Sequence, residues 1–337
     1  MRSRSFTVWV IGTVAAVTTL GVCANGVYAK DLREVVVTEP VHGVSYLPLY
    51  IAQTKGYFAD EGLTVKVLTA SGGAAHTNAV LSGSAFAFIG GPEHDAYAKA
   101  KGAELRAVVN VVDRGNVYFV ARKGLTLQDN HYADFVKGKR IATFFFGGTP
   151  NSITRYMLGK WGLEPTKDVK LLETSNPGIL AAVAAGQGGI GVISDPELTQ
   201  GIRQGIWQDP FYNVPKELGP YAYSALNIRL DSIQKEPGLV ASFVRAVLRA
   251  LKLANTDRNE AIAVAKTWFP TMAEDDLSAT VDRTIADHLW SGDGMITPQS
   301  WQTAKAVVRS AGLLKEDVPF DQVIDMQFVK AALAGSK

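Results

Sequence analysis

The stretches GLTVKVLTASGG (62–73) and GLEPTKDVKLLETSNPG (162–178) share one layout: Gly-Leu, a strand-like apolar run, a turn of small polar residues, then a helix-like segment. Each sits in the same longer series. The first runs EVVVTEP (strand), VHGVS (loop), YLPLYIAQTKGYFADEG (helix), TVKVL (strand), TASGG (turn), AAHTNAVLSG (helix), AFAFI (strand) and GGPEHD (loop). The second runs KRIATFFF (strand), GGTPNS (loop), ITRYMLGKWG (helix), DVKLLE (strand), TSNPG (turn), ILAAVAAGQ (helix), GIGVI (strand) and SDPEL (loop). β-branched runs bounded by turn residues mark the strands, and Thr149-Pro150 reads as an N-cap followed by the first helical residue. Alternating strands and helices build parallel βαβ units with right-handed crossovers. The chain thus describes two α/β lobes of one design, each a mostly parallel sheet flanked by helices.

Between the lobes, AELRAVVNVVDRGNVYFVARKG (103–124) holds two β-rich runs and reads as strands crossing over, with a second crossing at YAYSALNIR (221–229). The lobes are expected at 30–118 plus 226–337 and at 119–225. The remainder is helical. Leu239, Val240, Phe243, Val244, Val247, Leu248 and Leu251 form one apolar face opposite Arg245, Arg249 and Lys252. Further helices are expected around 261–268, 274–288 and 297–311, with this tail packing on the first lobe. Ligands of open parallel sheets bind beyond the carboxyl ends of the strands. Those ends are His42–Tyr46, Ser71–Gly73 and Gly90–Asp95 in the first lobe, and Gly147–Ser152, Ser175–Gly178 and Ser194–Glu197 in the second. If the lobes face each other, these loops line one cleft, and two crossings make a hinge that closes it.

Composition excludes several classes. With 47% hydrophobic and 20% charged residues, the chain of 337 residues is globular and long enough for two cores. A formal net charge of +2 and the lack of long Lys/Arg runs give no footprint for nucleic acid. Arg2 and Arg4 precede an apolar stretch from Phe6 to Val22, and Val27-Tyr28-Ala29 fits a small-x-small cleavage site, so residues 1–29 read as a secretory signal peptide. An uncleaved anchor and a lipoprotein at Cys23 are the alternatives; Val22 fits a lipobox poorly. Cleavage after Ala29 removes Cys23, the single cysteine, leaving no disulfide, thiolate nucleophile or cysteine-based zinc site.

HGVSYLPLYIAQTKGYFADEGLTVKV, GLEPTKDVKLLE, AAVAAGQGGIGVISDPE and the tail GMITPQSWQTAKAVVRSAGLL together resemble the periplasmic solute-binding proteins of the nitrate/sulfonate/taurine and thiamine-precursor class, the NMT1-like family. The resemblance covers nearly the whole mature chain; its motifs are specific for the family and weak for the ligand. It implies a two-lobed periplasmic-binding-protein-like (type II) fold, a ligand cleft between lobes, and delivery of a small solute to an ABC permease in the inner membrane by a monomer without cofactor. One branch, the fungal pyrimidine-precursor synthases, is enzymatic but carries a Cys-rich motif that this chain lacks. An enzyme on the same fold and a sensory module docking on a receptor remain the other readings.

The candidate ligand contacts follow from the strand-end loops. Ser71, Gly72, Gly73 and Gly148, Thr149, Asn151 open helices, whose free N–H groups and dipole suit an anion such as a sulfonate or carboxylate. His42, Ser45 and Tyr46 occupy the loop that supplies polar contacts and an aromatic wall in the family. Gly91 and Glu93 end one strand, Asn176 opens the next turn of the second lobe, and Asp195 mirrors Glu93. Asn116 and Tyr223 lie near the crossings, at the cleft floor. Glu93 and Asp195 favour an amine or heteroaromatic group, so a zwitterion or a pyrimidine would use both kinds of contact. Glu93, His94 and Asp95 are adjacent and seldom could aim at one metal ion. GQGGIG (186–191) follows a helix and enters a strand, the reverse of a dinucleotide loop.

Overall fold

The computed structural model describes residues 32–70 and 74–335, with Ser5 and Thr7. The expected signal peptide, with Cys23 and its cleavage site, and the turn Ser71–Gly73 lie outside them. Among the described residues no helix is long and apolar enough to cross a membrane.

The strands are β1 (Arg33–Glu39), β2 (Leu63–Thr69), β3 (Ala87–Gly90), β4 (Leu105–Arg114), β5 (Tyr118–Ala121), β6 (Arg140–Thr143), β7 (Lys170–Glu173), β8 (Ile190–Ile193), β9 (Tyr212–Asn213) and β10 (Pro220–Arg229). They form two five-stranded sheets, ordered β2-β1-β3-β10-β4 and β7-β6-β8-β5-β9. The repeat builds the same object twice. β1 pairs parallel with β2 and β3, and β6 pairs parallel with β7 and β8. β3 and β8 are buried along their whole length, which is why both read as unbroken apolar runs. Gly62 and Gly162 have φ of 81° and 75°, left-handed values open to glycine, and each turns the chain toward the outer strand of its triad.

The other strands make the sheets mixed. β10 runs antiparallel between β3 and β4, and β5 runs antiparallel between β8 and β9. The chain leaves the first sheet at Arg114, passes Gly115–Val117 and enters the second at Tyr118. It returns through β9, the helix Val214–Leu218 and Gly219. The expected second boundary, at 225, therefore falls inside β10, which lies wholly in the first sheet. Tyr221–Ile228 is buried throughout, since β10 lies inside that sheet between β3 and β4.

Two expected elements are shorter than their apolar runs. The helix foreseen over 46–62 breaks at Gly56 into Leu47–Thr54 and Tyr57–Asp60. The strand foreseen over KRIATFFF stops at Thr143, where its pairing with β7 ends, and Phe144–Phe146 pass into a loop.

The tail packs on both lobes. In the helix Pro237–Thr256, Val240, Phe243, Val244, Val247 and Leu251 are buried, and Phe243 stacks on Phe58 of the first lobe. The helix Pro298–Ser310 begins with a capping box between Thr297 and Ser300 and lies against both β10 and the second-lobe helix Thr149–Lys160. The helix Glu274–Ala286 reaches the second lobe through ion pairs of Asp276 with Arg203 and Arg283 with Asp195. Its C-terminal neighbour Asp287 accepts hydrogen bonds from Tyr118 Oη (2.7 Å) and Asn213 Nδ2 (3.0 Å). These contacts sit beside the crossings.

Trp207 is buried and donates its indole N–H to Leu198 O (2.9 Å), directly beneath Gly201. A Cβ on Gly201 would overlap the indole ring. Gly201→Ala should therefore destabilise the protein by about 1–3 kcal/mol, the usual range for overpacking, read as a lower midpoint in urea unfolding with an unchanged slope.

Candidate functional site

The carboxyl ends of both parallel triads open on one cleft, which encloses a cavity of about 100 Å³. From the first lobe it is lined by Val41, Gly43, Ser45 and Tyr46 after β1, by Gly90, Gly91 and His94 after β3, and by His76, Tyr223 and Ser224. Asn116 comes from the crossing. From the second lobe come Phe144–Phe146 and Gly148–Pro150 after β6, Asn176 after β7 and Ser194 after β8. A larger groove of about 730 Å³ lies on the first lobe, between the helices Ala75–Leu81 and Glu93–Lys99 and the segment 313–318. Only Gly147 reaches it from the second lobe. The cleft is the candidate site, because there both sets of strand ends meet.

Three polar contacts hold the cleft walls. Thr149 Oγ1 donates to Glu93 Oε1 at 2.5 Å across the two lobes. Asn116 Nδ2 donates to Ser45 Oγ at 2.8 Å, and Trp290 Nε1 to Ser45 O at 3.0 Å, tying the first loop to the crossing and the tail. The Glu93 carboxylate fills the space that a side chain at Gly91 would need. It is 1% exposed, and its Oε2 has no hydrogen-bond partner. Burial pushes its carboxyl up to about 7, against the Thr149 hydrogen bond that favours the anion.

The rest of the lining is uncharged. Burial lowers His76 to about 3, helped by neighbouring His94, and burial lowers His94 to about 4. Burial also raises the Tyr46 and Tyr223 phenols above their ordinary range. No Lys or Arg lines the cleft among the described residues. Pro150 and Pro177, in the first turns of the two cleft-facing second-lobe helices, each remove one N–H that an anion would use.

The structure brings Ser45, Tyr46, Gly91, Asn116, Gly148, Thr149, Asn176 and Tyr223 to the cleft lining, with Glu93 immediately behind Gly91. Thr149 is the first helical residue rather than the cap, which is Gly148, and its hydroxyl turns to Glu93. Three candidates lie elsewhere. His42 turns away to Glu39 and Trp268 O. Asn151 points back into its own lobe, donating to Phe144 O and Glu173 while accepting from Arg155. Asp195 receives Arg283 and caps Thr199, making it a tie to the tail. Phe144, Phe145 and Phe146 were not anticipated as lining. Phe145 and Phe146 are half exposed at the cleft edge. Three consecutive aromatics before Gly147-Gly148, at the end of a parallel strand, are the signal that marks them. No group of His, Cys, Asp and Glu among the described residues is arranged to hold a metal ion.

Known proteins share this design. The sequence model of the family described as NMT1/THI5 like matches residues 44–261. YtlA of Bacillus subtilis, named as a candidate binding protein, is 24% identical over 326 residues, 95% of each chain. The 4-amino-5-hydroxymethyl-2-methylpyrimidine phosphate synthase of Candida albicans is 27% identical over 257 residues, 68% of this chain and 69% of that one. Among solved structures, the alkanesulfonate-binding protein SsuA of Xanthomonas axonopodis superposes with a TM-score of 0.70 at 19% identity, covering 88% of this chain and 99% of that one. The nitrate-binding protein NrtA of Synechocystis gives 0.68 at 17% identity, over 91% and 90%. These structural likenesses establish the periplasmic-binding-protein fold.

The loop after β1 has its own anchor. The buried Glu39 carboxylate accepts from Tyr50 Oη, from Thr69 Oγ1 (2.9 Å) and from His42 Nδ1 (3.0 Å). His42 Nε2 lies 3.2 Å from Trp268 O, and its ring stacks on Phe269 at 4.6 Å. Both ring nitrogens thus face acceptors, so the doubly protonated imidazolium fits best. The Glu39 hydrogen bond leads in raising its titration above 6.5, against burial. A raised folded-state value means stability present below the unfolded value and lost as pH rises through the folded one. His42→Asn should therefore lower Tm more at pH 6 than at pH 9 in matched thermal melts. An equal loss at both would show that the charge contributes nothing.

Proposed function

The chain belongs to the NMT1/THI5-like family, and from that premise we propose that it is the extracytoplasmic solute-binding component of an ABC importer, capturing a small organic solute as its cleft closes. One observation carries the reading: the strand ends of two repeated lobes meet at a single cleft bridged by the Glu93–Thr149 hydrogen bond. The names of the solved sulfonate- and nitrate-binding relatives support it. The lobes are residues 32–114 with β10 and the tail, and the segment from β5 to β9, with crossings at 115–117 and 214–219. Export to the periplasm is proposed from the sequence of residues 1–29, and the reading extends to a monomer that delivers its ligand to a membrane permease.

Within the range from sulfonate to pyrimidine, the lining supports the flat, uncharged end. Tyr46, Tyr223 and the three Phe rings offer stacking surfaces, and the described lining offers an anion no cation. The contact set comprises Ser45, Tyr46, Asn116, Asn176, Tyr223 and the Phe144–Thr149 loop. His42, Asn151 and Asp195 support it from outside. An enzymatic reading has the Candida relative in its favour.

A thermal-shift screen against sulfonates, nitrate, carboxylates, amino acids and pyrimidines tests both readings. A ligand at a hundredfold excess over its Kd adds about 2.7 kcal/mol. A hit recovered unchanged by mass spectrometry supports a binding protein, and a chemically altered one an enzyme. Phe145→Ala should weaken the hit roughly two- to tenfold, the range for one lost aromatic contact, and leave the Tm of the free protein unchanged because the ring is half exposed. An unchanged Kd would remove Phe145 from the contact set.

A further inference from the structure

We infer that Glu93 makes closing of the cleft proton-dependent: the closed state holds it as the neutral acid against Thr149, and opening returns it to water, where it ionises. The inference rests on the solute-binding reading and concerns the regulation of that same cleft.

The geometry begins with position. Glu93 opens the helix after β3 of the first sheet, and Thr149 opens the helix after β6 of the second. Their hydrogen bond joins the two lobes, so parting the lobes breaks it. In the closed arrangement the carboxyl is sealed beneath Gly91, with Oε1 on the Thr149 hydroxyl and Oε2 on nothing. An ionised carboxylate with one bare oxygen is costly in such a place, and the neutral acid is not.

No neighbouring charge offsets that cost. Tyr46, from the turn after β1, and Tyr221 and Tyr223, from β10, all have phenols raised by burial, with Glu93 itself a further cause. On its own helix, burial raises Tyr97 and raises Asp95 well above the carboxylate range, while Arg106 pulls Asp95 the other way. Burial keeps His94 and His76 neutral at physiological pH. Glu93 titrates at about 7 and is the carboxyl of this cluster whose hydrogen bond spans the two lobes.

The sign follows from linkage. An exposed Glu93 in the open state titrates near its ordinary value of 4.5, and in the closed state near 7. Closing takes up a proton between these values. The closed-to-open ratio should fall by up to about tenfold per pH unit as pH rises through that window, and level off above it. A solute captured by closure would then bind more tightly in a mildly acidic medium than in an alkaline one.

Spin labels placed at exposed positions, Lys66→Cys on the first lobe and Lys167→Cys on the second, in a Cys23→Ser background, would report the interlobe distance by pulsed electron resonance. With no ligand added, the closed fraction should fall between pH 5 and pH 8. Glu93→Gln, which mimics the neutral acid, should hold the closed fraction constant over the same range. A ratio in the unsubstituted protein that does not change with pH, or a Glu93→Gln protein that keeps the full dependence, would overturn the inference. If Glu93→Gln does not fold, Thr149→Val serves: it should lower the closed fraction at pH 5 at least threefold, and no change there would equally overturn it. The measurement is independent of ligand. A flat pH response leaves a hit in the ligand screen standing, and an empty screen leaves the pH response to be judged by itself.

Discussion

A four-residue strand buried on both faces must satisfy the hydrogen bonds of both its edges, and in this protein β3 and β8 both carry that demand. Neither repeat supplies a partner for the second edge. The partner of β8 is β5, the strand that has just crossed from the first sheet. The partner of β3 is β10, the strand that returns from the second. The two crossings are thus the way in which each lobe completes its sheet. Because the crossings sit next to β3 and β8, the strand ends of both lobes open toward each other.

The tail stabilises that arrangement from outside. Its helices pack on the first lobe through an apolar stripe and on the second through Pro298–Ser310 against Thr149–Lys160, while Asp276, Arg283 and Asp287 add ion pairs and hydrogen bonds to the second. Apolar burial is non-directional, whereas the polar contacts beside the crossings can be exchanged for water at modest net cost. The cleft itself combines aromatic walls with one buried carboxyl, in a fold shared with proteins named for binding sulfonate and nitrate. The backbone design is common to them.

The two-lobed α/β plan is legible in the sequence, since strand and helix periods, glycines at matched turns and the duplicated order are local properties written into each segment. The strand-end loops are legible as the candidate site, and most of the proposed contacts lie there. The directions of individual polar side chains and the ends of elements came from the fold. Asp195 and Glu93 occupy matching places in the repeat, yet one meets Arg283 from a helix some ninety positions on (195 against 283) and the other meets Thr149. His42 and Asn151 sit in the right loops and face away from the cleft, toward partners such as Glu39 and Glu173. Phe144–Phe146 look like the end of a strand until pairing with β7 stops at Thr143. Periodicity records which face of an element is apolar, whereas the partner of a polar group is set by which distant segment the fold brings beside it.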